Sequence, residues 1–195
     1  MQNIEEHWLE PSKLSNNLLG PDQISSWRTQ GYALVDGLIP SALIAQAEDD
    51  ALAFFPKPQT PEAKHFETFG SGQKFVFPSR SRAVNELTMC SELLAAVSAL
   101  LGEAVGDIRL SQSDLWPKYG DGAVADRDDW TEQRIHCDYP NHTLLHPPQW
   151  DSPEAVEVII YLSDSEECGG ATAVVPREGP DDPAYAWPIF NMPGV

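Results

Sequence analysis

Apolar residues recur at helical spacing through the first half of the chain and at strand spacing through the second. Ile24 and Trp27 mark the apolar side of a short helix that begins with Asp22 as its cap, runs to about residue 30 and stops at Gly31. "YALVDG" (32–37) then reads as a short strand ending in an Asp-Gly turn. Ser41 opens a longer helix to about residue 55. Its Leu43, Ile44, Ala47, Ala51 and Phe54 share one face, and Pro56 and Pro58 end it. Residues 56–82 are rich in Pro, Gly, Ser, Lys and Arg and read as a long loop, with a strand-like "KFVF" (74–77) inside it. "SELLAAVSALLG" (91–102) predicts an amphipathic helix capped by Ser91 and stopped by Gly102.

From Gly106 the period changes to two. Short strands are expected at 107–116, 134–138, 157–162 and 172–176. The acidic, glycine-bearing loop "PKYGDGAVADRDDW" separates the first two. Helices followed by a run of strands predict an α+β or β-barrel architecture. No internal repeat or change of composition divides the chain, so 1–195 reads as one domain, with a helical part at about 22–102 and a β core from about 106.

Composition narrows the setting. At 195 residues, with 42% hydrophobic residues and a mean hydropathy of −0.33, the chain is expected to fold as a soluble globular domain. No apolar run was expected to reach the ~20 residues of a membrane span. The acidic start "MQNIEEHWLEP" has neither the basic nor the apolar region of a signal peptide. Cys90, Cys137 and Cys168 are too few and too scattered for a disulfide framework, so a reducing, cytoplasmic location is expected. A net charge of −18 repels phosphate backbones and anionic lipid, which argues against nucleic-acid and membrane partners. Nothing in the pattern bears on oligomeric state.

Candidate chemistry centres on "QRIHCDYPNH" (133–142). On a strand, side chains two apart face the same way, so His136 and Asp138 point together and Cys137 points to the other face. One imidazole and one carboxylate suit iron(II), with a second imidazole completing a facial triad. The tripeptide alone is unspecific. Five histidines and fifteen aspartates would produce a His-x-Asp by chance in roughly a third of such chains. The plainer reading is an exposed strand end with Asp138 opening the turn at Pro140-Asn141. His142 and His146 have the i, i+4 spacing of a zinc-binding helix, but Pro140, Pro147 and Pro148 oppose a helix there. His65, in the long loop, reads as exposed. Downstream, "EVIIYLSDSEECGGATAVVP" predicts a hairpin whose Gly169 and Gly170 permit a tight turn or a close approach.

A helix, "GYALVDGLIP", a second helix, His-x-Asp, an apolar strand, an acidic turn and Gly-Gly-x-x-x-Val-Pro occur here in one order over residues 23–176. In that order the chain resembles the phytanoyl-CoA dioxygenase-like proteins. The resemblance implies an Fe(II)- and 2-oxoglutarate-dependent oxygenase on a double-stranded β-helix of the jelly-roll, cupin-like kind, oxidising a small organic substrate with O2. It implies His136 and Asp138 as two iron ligands, and Gln112, Lys118 and Ile160 as residues of the 2-oxoglutarate pocket. Tyr139, Asn141 and His142 are then the residues bordering substrate. Such enzymes take a distal histidine, and then an arginine that pairs with the 2-oxoglutarate carboxylate, from strands beyond the Val-Pro hairpin. Here "REGPDDPAYAWPIFNMPGV" follows without a histidine, and Arg177 comes too early. The expectation is therefore a chain incomplete at its C-terminus, lacking the closing strands. Two other readings stay open: a non-catalytic β-helix or cupin-like binding module without a complete metal site, and a zinc hydrolase using His136, Asp138 and His142.

Overall fold

The computed structural model describes residues 19–57, 60–64, 66, 74–117, 119, 155–165 and 172–176. The elements in chain order are α1 (Pro21–Gln30), α2 (Ser41–Phe54), α3 (Pro61–Lys64), β1 (Phe75–Val76), α4 (Arg82–Thr88), α5 (Ser91–Leu101) and β2 (Asp114–Leu115).

Three helices lie where the apolar spacing puts them, with different caps. Gly20, not Asp22, is the N-cap of α1, and Gln23 Oε1 accepts from the Gly20 amide at 2.8 Å. Asp22 sits in the first turn, where a carboxylate meets the positive end of the helix dipole. Gly31 ends α1 in the left-handed region at φ 84°, which glycine reaches without a Cβ clash. The N-cap of α5 is Cys90 rather than Ser91, and Gly102 closes that helix at φ 73°. α1 lies against α5.

Helix α4 fills the stretch between the expected loop at 56–82 and the expected helix at 91–102, where the pattern predicted no element. Ser81 starts it, its Oγ accepting from the Val84 amide at 3.0 Å. Ala83, Val84 and Leu87 form its buried stripe and pack against α2. Just before it, Asn85 closes the turn in both directions, accepting from Ser79 N at 2.7 Å and donating to Ser79 O at 2.8 Å.

The segment Arg82–Leu101 is as long and as apolar as a membrane span, with a mean hydropathy of 1.4, contrary to the expectation above. The chain breaks it into two helices at Met89 and Cys90. Ala83, Val84, Leu87, Leu93, Ala95 and Ala96 are buried within the protein, about a third of the segment's apolar window.

The strands are shorter than the pattern implies. Residues 32–37 form no strand, and Leu34 is exposed, although the turn at Asp36-Gly37 is present with Gly37 at φ 66°. Of 107–116, only Asp114–Leu115 enters a ladder. It is antiparallel to β1, with Phe75 opposite Leu115 and Val76 opposite Asp114. Within 157–162 the two-residue alternation holds only from Ile159 to Leu162, with Ile160 and Leu162 turned to the core and Ile159 and Tyr161 exposed; Val158 is exposed as well, and the stretch carries no ladder in the described residues. Residues 172–176 also carry no ladder in the described residues and are exposed throughout; they meet the former stretch where the Thr172 amide donates to Tyr161 Oη at 3.0 Å. Alternation needs only a buried side; pairing needs a partner strand in register.

The core joins α2, α4 and β1. Ala47, Phe55, Phe75, Ala83, Val84 and Leu87 are its buried members, and Leu115, Ile160 and Leu162 pack at its border. Phe54, Phe55 and Phe75 meet edge to face at centroid distances of 4.8 to 5.6 Å, and the Arg80 guanidinium lies 3.8 Å over the Phe54 ring.

Candidate functional site

The two-stranded ladder gives the region its two sides. Successive side chains on a strand alternate, so Phe75 and Leu115 lie on one face, and Lys74, Val76, Gln112 and Asp114 lie on the other. The first face is apolar and packs on the helices. The second carries charge.

On that second face, Asp114 Oδ2 accepts from Lys74 Nζ at 2.7 Å and from Gln112 Nε2 at 2.6 Å. The Asp114 side chain is only 4% exposed, whereas that of Lys74 is 32% exposed. Two donors on one oxygen of a covered carboxylate supply the compensation that burying a charge requires. The hydroxyls of Ser113 and Thr88 meet at 2.9 Å, and the Phe77 amide donates to Ser113 O at 3.0 Å, tying β2 to α4 and to the end of β1.

Of the residues singled out from the sequence, Gln112 is exposed and bound to Asp114 as described. Ile160 packs against the core cluster that includes Phe75. Lys118, His136, Asp138, Tyr139, Asn141 and His142 lie outside the described residues, as do His65, Cys137 and His146. Among the described residues, no group of three or more His, Cys, Asp or Glu could hold a metal ion. Lys74 and Asp114 were missed by sequence reasoning. They are 40 residues apart and each looks ordinary in its own stretch; the one signal was strand alternation, which puts Asp114 beside Gln112.

Two titratable groups near these elements are shifted. Burial pushes the Tyr119 hydroxyl upward, and that hydroxyl donates to Pro56 O while its ring meets Phe66 edge to face. Burial, chiefly, also raises the Cys90 thiol. An open cleft of about 540 Å³ lies beside this aromatic group, lined by Phe54, Phe55, Pro56, Lys57, Thr60, Glu62 and Phe66. Neither Lys74, Gln112 nor Asp114 lines it.

The chemistry of the donor set at 136–138 fits iron(II): a neutral imidazole and a carboxylate are borderline and hard donors of the kind that metal takes together. The sequence model of the phytanoyl-CoA dioxygenase (PhyH) family matches residues 27–182, a span that includes β1, β2, His136, Asp138 and Ile160. No curated protein and no solved structure matches the chain. With a match over well more than half its length, the chain belongs to the phytanoyl-CoA dioxygenase family.

Proposed function

We propose that this protein is a non-haem Fe(II)- and 2-oxoglutarate-dependent dioxygenase that hydroxylates a small organic substrate on a double-stranded β-helix. The observation that carries the proposal is the family match over 27–182, with His136-Cys137-Asp138 inside it. Membership supports an oxygenase in general; the metal, the cosubstrate and the substrate class are our reading.

In this reading, His136 and Asp138 hold the metal, the imidazole in its neutral form and the carboxylate ionised, so binding weakens as either is protonated. When bound there, Fe(II) and 2-oxoglutarate would supply the activation of O2 for hydroxylation, with succinate and CO2 as the products of the cosubstrate. The chain's own work is positional. Gln112, Lys118 and Ile160 border the cosubstrate, and Tyr139, Asn141 and His142 border the substrate. Together they keep one C–H bond close to the metal and water away from it.

The test is anaerobic calorimetry of Fe(II) binding to residues 1–195 and three variants. His136→Ala and Asp138→Ala are each expected to weaken binding at least about tenfold, because each removes a direct ligand. Cys137→Ser, altering the residue between them, is expected to leave it unchanged. Equal binding by all four proteins, or damage from the Cys137 variant alone, would refute the assignment.

A further inference from the structure

Lys74 offers an ammonium on the ladder face turned away from the helices, and its charge is already balanced. Its Nζ lies 2.7 Å from Asp114 Oδ2, on a carboxylate that solvent barely reaches. The lysine side chain is the accessible member of the pair. An ammonium has three donors, and Asp114 uses one of them. An anion reaching this face can therefore take another donor, but only while opposed by the Asp114 carboxylate a few ångströms away. Gln112, whose amide is the neighbouring polar donor, is bound to the same Asp114 oxygen. Among the described residues, Lys74 and Gln112, the polar donors of this face, are thus both held by one internal carboxylate.

We infer that Asp114 is a specificity-determining residue, an internal competitor that sets how strongly this ladder face holds a dicarboxylate. For its ligand the inference rests on the 2-oxoglutarate reading above. For the competition it rests on the Lys74–Asp114–Gln112 geometry. The competitor keeps the face electrically neutral, so that small anions in general are held weakly. A ligand is retained only if further contacts add to the one with Lys74.

Asp114→Asn tests this, because it keeps the side chain's shape and an oxygen acceptor while deleting the charge. The probes are 2-oxoglutarate and glutarate, a dicarboxylate without the keto oxygen that chelates a metal, each titrated calorimetrically into metal-free residues 1–195. The variant is expected to bind both about tenfold more tightly than the native chain, as the loss of one close like charge predicts. The gain should shrink with added salt. It should vanish in the Asp114→Asn/Lys74→Met double variant. Asp114→Ser, checked for folding by circular dichroism, repeats the test with a smaller side chain. No gain in either folded variant, or a gain that survives loss of Lys74, overturns the inference. The oxygenase reading is judged separately by the effect of His136→Ala on Fe(II) binding, so the two can fail independently.

Discussion

The two faces of the β1/β2 ladder differ in what holds them. On one, Phe75 and Leu115 pack in the apolar cluster with α2 and α4, and among the described residues the Arg80 guanidinium stacks on Phe54 beside it. On the other, Lys74, Gln112 and Asp114 hold each other by directional bonds. Two residues per strand thus serve two purposes, because the pleat sends neighbours to opposite sides. Apolar burial on the helix side supplies stability that does not depend on charge. The ion pair on the far side depends on charge, and its lysine is exposed enough for solvent to screen it.

The strongest way to break this contrast is to change one residue on each face. Phe75→Ala removes a buried ring that touches Phe54 and Phe55, and is expected to cost about 3–5 kcal/mol, as large-to-small changes in cores do. Asp114→Asn, one register position away, is expected to cost about 1 kcal/mol or less, since Lys74 can turn to solvent. Urea unfolding of the two variants measures both. Comparable losses would mean that the polar face is structural after all.

A middle-sized effect is expected where the helix side is tied by a polar bond. Ser81 Oγ caps α4 through the Val84 amide and donates to Asp50 on α2, joining the two helices that carry the core. Ser81→Ala loses the cap and leaves Asp50 without that donor, and is expected to cost about 1–2 kcal/mol. Ser81→Thr, which keeps both bonds if its methyl is accommodated, should recover part of the loss. If both variants unfold at the same urea concentration as the native chain, the link carries no stability.

The sequence shows the helices because their signals are local. Gly31, Pro56 and Gly102 stop α1, α2 and α5 within the reach of a few residues. α4 escaped notice because its seven residues are bounded by Pro, Ser and Arg, and its start signal is a single serine among several. Strands depend on distant partners, so alternation at 32–37 suggested a strand that does not form, and alternation at 107–116 suggested one much longer than Asp114–Leu115. For the candidate site, His136 and Asp138 were legible only as a motif within an ordered set, the proposed ligands lying outside the described residues. The Lys74–Asp114 pair was not, because it is created by the ladder and by nothing nearer.

The smallest effect concerns the junction between α4 and α5. Cys90 stands at the N-cap of α5, where serine, threonine or aspartate is usual, and makes no side-chain cap bond. Burial raises its thiol above the ordinary 9.0, the Glu92 carboxylate adds to this, and backbone amides at the helix start oppose it. The fold therefore favours the protonated thiol over the unfolded chain. By linkage, that contribution is complete below the ordinary value and is lost as pH rises through the raised one. Cys90→Ser has no such proton to lose and can accept a cap bond. Its melting temperature should exceed the native one by a constant margin near neutral pH and by a growing margin above about pH 9. Melting curves taken from about pH 7 to about pH 10 measure this. A margin independent of pH would leave the cap as the whole effect and remove the thiol from the account.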